Sequence, residues 1–187
     1  MWSLPENFRM LYEVPRWFVM LALGLWAHSA HADDPKARAD ALVEQGGRWG
    51  RHGQLEQAVS AFKQAQAAFA RPRHLCNIGL AYARRGKWPQ AHSFLRHCSE
   101  QWPTGESGAP PRWVAPRLMQ AEKALRSGDF GRVDVQAIPR DAALTVAAFG
   151  ADEPFGSGQI WLPFGRHELT ISRADYLPKT VALTVDS

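Results

Sequence analysis

The sequence predicts an α+β fold, in which a signal peptide is followed by about five helices arranged as helical hairpins and then by a small antiparallel β-sandwich. Three observations support this prediction. A short apolar run near the N-terminus has the flanks of a leader; apolar residues then recur at helical spacing; and after Gly128 they alternate with polar residues, as in strands. The expected regions are residues 1–32, 33–128 and 129–187.

The composition excludes several classes of protein. The 187 residues are 45% hydrophobic and 21% charged, which is typical of globular proteins and not of collagen-like, coiled-coil or disordered chains. The net charge of +4 is too small for a nucleic-acid-binding tail. The sequence contains no phosphate-binding Gly-rich loop, serine nucleophile elbow, metalloprotease motif or paired-cysteine zinc motif. We therefore expect no enzymatic activity, no cofactor, no metal and no nucleic-acid partner.

The first 32 residues have the pattern of a secretory signal peptide. The apolar run 17–26 follows Arg9 and Arg16, and it is too short to span a bilayer, which takes about 20 residues. An A-x-A cleavage motif ends at Ala32. We expect a periplasmic or extracellular protein cleaved after Ala32, with an uncleaved membrane anchor as the alternative. Translation from Met10 instead of Met1 would shorten the long stretch before the run, and the start stays open.

An internal repeat is the strongest signal in the helical region. Residues 39–70 align with residues 72–103 at a constant offset of 33, without a gap. Such a period indicates a helix–turn–helix unit, in which small residues lie at the helix crossings and larger residues fill the space around them. Residues 113–126 supply a fifth helix beside the two hairpins. The residues expected to pack the repeats are Gly46, Ala58, Gly79, Tyr82 and Ala91.

The repeat resembles the tetratricopeptide repeat over residues 37–103. The second copy carries the motif N-I-G-L-A-Y-A-R-R-G-K-W-P-Q-A at 77–91 and the closing Pro103. The resemblance implies stacked hairpins whose first helices line a groove that binds a protein or peptide. In that family, Asn and basic residues of the groove often hold a peptide backbone or a terminal carboxylate. The implied lining is Asp40, Val43, Glu44, Gly47, Arg51, Arg73, Asn77, Leu80 and Arg84.

Two alternatives bear on this helical region. Two repeats make only a small groove, so the lining residues can equally be ordinary surface residues. Residues 33–128 carry 15 Lys and Arg against 8 Asp and Glu, whereas residues 129–187 carry 5 against 8. The opposite net charges of the two regions have two interpretations. The charges can belong to solvated surfaces that attract each other weakly, or the basic helical surface can bind an acidic partner.

Cys76 and Cys98 lie about equally far from the turn between the two helices of the second repeat. Antiparallel helices with a rise of about 1.5 Å per residue place them at similar heights. This placement allows a disulfide in an oxidising compartment, the alternative being two small buried side chains. His74, His92 and His97 lie in the same repeat, but their spacing matches no metal motif, and we expect exposed histidines.

The C-terminal region resembles the PEGA domain, a β-sandwich module, over residues 131–186. Pro139 and Ala142 match the two ends of the signature of that family. Residues 162–167 (L-P-F-G-R-H) are the most specific match, and Tyr176 occupies the position at which the family has a tyrosine. The resemblance implies a module that positions the protein in the cell envelope. Short runs of alternating apolar residues around 133–137, 144–146, 169–171 and 181–185 predict the strands.

The apolar stretch 159–164 (Q-I-W-L-P-F) contains Trp161. We expect Ile160 and Leu162 in the core and Trp161 partly exposed, where an aromatic ring can contact a partner or a glycan.

The function that these observations favour is a non-enzymatic periplasmic or envelope adaptor, which binds a protein or peptide through its helical repeats. The alternative is a cell-wall or glycan-binding protein in which the β region does the recognising. A third hypothesis is an accessory subunit of an envelope transport or signalling complex. The sequence leaves the partner, the pathway and the oligomeric state open.

Overall fold

The computed structural model describes residues 34–103, 108–153 and 155–187. The expected signal peptide, residues 1–32, lies outside the described residues. In the described part of the chain, no helix is both long enough and apolar enough to cross a membrane.

Five helices come first in the described residues, as expected. Asp34 caps the first helix, because its Oδ1 accepts a hydrogen bond from the backbone N–H of Lys36 at 2.9 Å. Prolines lie in the first turns of the first, third and fourth helices, where no backbone N–H is needed. The helices are α1 (Pro35–Arg51), α2 (Leu55–Ala68), α3 (Pro72–Arg84), α4 (Trp88–Glu100) and α5 (Val114–Arg126).

The crossings of the two hairpins repeat the same contact. Gly46 of α1 lies against Phe62 of α2, and a Cβ at Gly46 would be 2.6 Å from the Phe62 ring. Gly79 of α3 lies against Leu95 of α4, where a Cβ would be 2.7 Å from the side chain. Ala58 and Ala91 are fully buried at equivalent places. The packing residues expected from the alignment therefore lie at the crossings, and Tyr82 is also buried.

The turns within the hairpins repeat as well. Gly53 and Gly86 both adopt left-handed backbone conformations, with φ of 77° and 70°, which glycine adopts without steric strain. One residue later, the N–H of Gln54 bonds to the carbonyl of Trp49, and the N–H of Lys87 bonds to the carbonyl of Tyr82. The two hairpins thus share one local structure, from crossing to turn.

Five strands follow the helices in two antiparallel sheets, which makes the chain α+β as predicted. β1 (Phe130–Val135) pairs with β3 (Gly158–Pro163), and β2 (Ala143–Val146), β4 (Gly165–Ser172) and β5 (Lys179–Val185) form the second sheet in the order β2-β4-β5. One apolar core receives side chains from both sheets: Leu144, Ile160, Leu162, Leu169 and Val185 are among its buried members.

β3 is covered on both of its faces. Ile160 and Leu162 point into the core between the sheets, whereas Trp161 lies against α4 with its ring centroid 6.3 Å from that of His92. Trp161 is only 6% exposed. The expectation of a partly exposed Trp161 is therefore wrong, because α4 covers the outer face of the strand. A continuous apolar run, instead of an alternating one, is what burial on both faces requires.

The expectation of exposed histidines is also wrong. His92 and His74 are each 2% exposed, and His97 is half-buried. His92 lies between Trp161 and Glu122 of α5, with its Nε2 3.6 Å from the Glu122 carboxylate. His74 lies in the first turn of α3.

Candidate functional site

A cavity of about 510 Å³ lies between α1, α2 and α3. Seven of the nine residues that the resemblance placed in a binding groove line it, namely Val43, Glu44, Gly47, Arg51, Asn77, Leu80 and Arg84. The remaining lining residues are Gly46, Arg48, Gly50, Leu55, Ala58, Phe62 and Ala81. The first helices of both hairpins thus contribute to one concave surface.

The floor of the cavity is apolar. Val43, Leu55, Phe62 and Leu80 supply aliphatic and aromatic surface, and each of them is half-buried or buried. Three glycines of α1, Gly46, Gly47 and Gly50, belong to the lining and add no side chain that would fill the space. An apolar side chain of a ligand would therefore find a surface that removes it from water.

The rim of the cavity is cationic. Arg48, Arg51 and Arg84 are exposed there, together with a single lining carboxylate, that of Glu44, which lies 4.0 Å from Arg48. Arg84 donates a hydrogen bond to the carbonyl of Gly50 at 2.7 Å, which ties α3 to the last turn of α1. Guanidinium groups bind carboxylates through paired N–H donors, so this rim favours an anionic group on the ligand.

Arg73 and Asp40 do not line the cavity, although the sequence placed both in the groove. Arg73 is exposed in the first turn of α3, one turn before Asn77. Asp40 forms an ion pair of 3.3 Å with Arg71. Arg73 is therefore a cationic residue of α3 that lies outside the cavity lining.

A buried polar cluster joins the helical and β regions on the other side of α3. Glu153, in the segment between β2 and β3, is 4% exposed. Its carboxylate lies 2.5 Å from Nζ of Lys63 on α2 and accepts a hydrogen bond from the hydroxyl of Tyr82 on α3. The backbone N–H of Gly150 donates to the same carboxylate at 3.0 Å. The charge of Glu153 is therefore paired and hydrogen-bonded, as a buried charge must be.

The electrostatics of this cluster follow from burial and proximity. Burial lowers the pKa of Lys63, but hydrogen bonds to Glu153, Asp152 and Tyr82 and the negative charge of Glu153 outweigh it and raise that pKa to about 12. Burial, with the hydrogen bond to Glu153, also raises the pKa of Tyr82 to about 12. At neutral pH the cluster therefore holds a cationic lysine and a neutral tyrosine.

Lys63 and Glu153 are functional residues that the sequence pattern did not indicate. A weak signal existed in the opposite net charges of the two regions, since 33–128 is basic and 129–187 is acidic. The net charges of the regions cannot indicate which acidic residue forms an ion pair with which basic residue. That pairing depends on how the segment between β2 and β3 folds back onto α2 and α3.

Cys76 of α3 and Cys98 of α4 are joined by a disulfide, with their Cα atoms 5.2 Å apart. Both residues are fully buried. The bond closes a loop around the turn of the second hairpin, whose first helix contributes Asn77, Leu80 and Arg84 to the cavity. A cross-link at this place restrains the helix that carries four of the fourteen lining residues.

A second concave surface lies at the end of the β region where β2 begins and β4 ends. This crevice of about 470 Å³ is lined by Asp141, Ala143 and residues 172–176. Tyr176 is 62% exposed, and the Arg173 guanidinium lies 5.1 Å from the centre of its ring. Arg173 Nε also donates to the Asp141 carboxylate at 3.0 Å. Among the described residues of the β region, Tyr176 is the most exposed aromatic ring and Phe164 is 37% exposed, whereas Trp161 is buried.

Within the described ranges, no group of three or more His, Cys, Asp or Glu side chains is arranged to hold a metal ion.

Comparisons with known proteins give no relative for this chain. No family model matches it. No curated protein matches it, and neither does any solved structure.

Proposed function

We propose that this protein is a non-enzymatic adaptor of the bacterial cell envelope that binds a segment of another protein in the cavity between α1, α2 and α3. The observation that carries the proposal is the combination of an apolar floor with a rim of three arginines. The chemistry of a bound segment follows from that lining. An aliphatic or aromatic side chain would lie on Leu55, Phe62 and Leu80, while a carboxylate would face Arg51.

The assignment of the two regions belongs to the same proposal. The shared crossings and turns of the hairpins support a tetratricopeptide-like array, and the core between two antiparallel sheets supports a PEGA-like β-sandwich. The apolar run 17–26 and the cleavage motif ending at Ala32 support export to the periplasm or beyond. A disulfide between Cys76 and Cys98 is consistent with an oxidising compartment.

The test compares substitutions of Arg51 and Arg73, which are both exposed residues of helices. A photo-cross-linking amino acid at position 80 reports on any protein bound in the cavity, and Arg51→Glu reverses a cation of the rim. Arg73→Glu is the matched control, because Arg73 is an exposed helix arginine outside the lining. We expect an adduct from position 80 in intact cells, which Arg51→Glu removes and Arg73→Glu leaves in place.

Two results would contradict the proposal. One is an adduct that survives Arg51→Glu, since the arginine rim would then have no part in binding. The other is equal cross-linking from position 80 and from position 73, because contact would then not depend on the cavity.

The second candidate function is binding of cell-wall glycan by the β region. The exposed ring of Tyr176 beside the crevice favours it, because sugars stack on aromatic rings and hydrogen-bond to carboxylates such as that of Asp175. The test is co-sedimentation of the purified protein with cell-wall sacculi at low and moderate salt. Binding that survives moderate salt and is lost in Tyr176→Ala would favour this function over the first.

A further inference from the structure

β5 forms an edge of the three-stranded sheet. It pairs with β4 from Lys179 opposite Ile171 to Val185 opposite Gly165, and in the described residues it has no strand on its other side. Most of its residues are exposed. An edge strand directs the N–H and C=O groups of every second residue outwards, where another strand can pair with them.

This edge carries little of the protection that usually prevents pairing. The seven residues of β5, K-T-V-A-L-T-V, include no proline and a single charged residue, Lys179. Soluble proteins usually protect such edges with charges, prolines, bulges or a covering element. The helices that contact the sheets do so at β1 and β3. Among the described residues no strand pairs with the outer edge of β5. The end of the strand at Val185 lies against β1, whereas Val181 is 39% exposed.

The sequence of β5 is self-complementary around Ala182. When a second copy of the strand lies antiparallel and Ala182 faces itself, Val181 faces Leu183 of the second copy. Thr180 then faces Thr184 of the second copy. Apolar residues thus meet on the core side of the sheet, and threonines meet on the outer side. Both kinds of cross-strand pair stabilise antiparallel sheets.

The charges near the ends of the strand favour the antiparallel direction. Lys179 begins β5, and the exposed Asp186 follows its last residue. In the antiparallel pair Lys179 faces Val185 of the second copy, so each end of the pair holds one lysine and one nearby aspartate, whose side chains leave opposite faces of the sheet. A parallel, in-register arrangement would instead place both lysines at one end and both aspartates at the other.

We propose that two copies of this protein associate through β5, with a two-fold axis at Ala182, so that the two three-stranded sheets continue as one six-stranded sheet. The interface uses the same patch on both copies, as a closed dimer requires. Val181, which the core of its own chain leaves partly exposed, is then covered by Leu183 of the second copy. The cavity between the helices takes no part in this contact.

Two double variants test the register. Thr180→Lys with Thr184→Lys places lysine opposite lysine at both ends of the pair. Thr180→Lys with Thr184→Glu places lysine opposite glutamate and changes the same two exposed threonines. The measurement is sedimentation velocity of the protein produced from the whole sequence, over a dilution series from high micromolar to nanomolar. We expect a dimer for the wild type, and a dimer dissociation constant about tenfold or more higher for the lysine–lysine variant than for the lysine–glutamate variant.

Thermal unfolding and circular dichroism of both variants check that each is folded. The proposal is overturned by a wild-type protein that stays monomeric throughout the series. It is equally overturned by folded variants that dimerise alike, since the contact would then not bring position 180 opposite position 184.

Discussion

The hydroxyl of Tyr82 on α3 donates a hydrogen bond to the buried carboxylate of Glu153, which lies between β2 and β3. Tyr82 occupies the repeat position that Trp49 fills in the first hairpin. A tyrosine at this place adds a polar group to a packing position. The second hairpin therefore both packs like the first and attaches to the β region.

Removal of this hydrogen bond is expected to destabilise the whole protein. Tyr82→Phe keeps the ring and leaves the Glu153 carboxylate with one donor fewer, which costs about 1–3 kcal/mol for a bond to a buried charged group. The measurement is urea unfolding at neutral pH. Tyr176→Phe is the matched control, because Tyr176 is exposed, and we expect a change within about 0.5 kcal/mol. Equal effects of the two substitutions would contradict the importance of the buried bond.

Two adjacent glycines of α1 are expected to respond in opposite ways to alanine. A Cβ at Gly46 would be 2.6 Å from Phe62, so Gly46→Ala forces the hairpin apart and costs about 1–3 kcal/mol. A Cβ at Gly47 meets only the flexible end of Arg51 at 3.5 Å. Gly47→Ala should therefore stabilise by up to about 1 kcal/mol through helix propensity. Thermal unfolding of both variants checks this, and a stabilising Gly46→Ala would show that the crossing is looser than described.

Loss of the disulfide is expected to lower the melting temperature. A bond that closes a loop of this size contributes about 3 kcal/mol, and each kcal/mol corresponds to roughly 2–4 °C for a chain of this length. The variant Cys76→Ala with Cys98→Ala should melt lower than the oxidised wild type and should not respond to reductant. Wild-type protein should respond to reductant, with a mass increase of two hydrogens. A melting temperature that reductant leaves unchanged while the mass increases would contradict a stabilising bond.

The buried histidines should make the protein less stable in mild acid. Burial lowers the pKa of His92 below 6.5, and the positive charge of Arg96 lowers it further. The negative charges of Glu122 and Glu100 raise this pKa but do not outweigh burial. Burial likewise lowers the pKa values of His74 and His97. The unfolded chain therefore binds protons that the native state does not, so the stability present above pH 6.5 is lost as the pH falls below it.

His92→Gln should reduce this pH dependence. The measurement is the free energy of unfolding between about pH 7 and pH 5, with His52→Gln as the control, because His52 is exposed. We expect a smaller loss of stability on acidification for His92→Gln and an unchanged loss for His52→Gln. The same slope for both variants would mean that His92 does not contribute.

Sequence reasoning predicted the helical region better than the contact between the regions. Gly46 and Gly79 could be placed at crossings because the repeat aligns them, and local packing within a hairpin depends on nearby residues. The order of helices followed by strands could be read from the change of apolar spacing at Gly128. Seven of the nine groove residues followed from the resemblance to the tetratricopeptide repeat. Arg73 lies one helical turn before the cavity begins, and Asp40 pairs with Arg71 instead.

The errors concern residues whose surroundings come from distant parts of the chain. Trp161 and His92 bury each other across the two regions, and neither sequence neighbourhood contains the other. The run I-W-L at 160–162 did carry a signal, since three consecutive buried residues require a cover on both faces of a strand. Glu153 carried no such signal, because an acidic loop residue is normally exposed.

Because Trp161 is buried under α4, the helical and β regions have to be kept together when parts of this protein are exchanged with another protein. A β region transplanted to another carrier would bring an uncovered indole ring, and a helical region transferred alone would open His92 to water. A crossover at Gly128, where the sequence pattern changes, therefore separates side chains that fold against each other. Chimaeras that keep the fold must inherit α4 and β3 together, and they can exchange the exposed loop 174–178 instead.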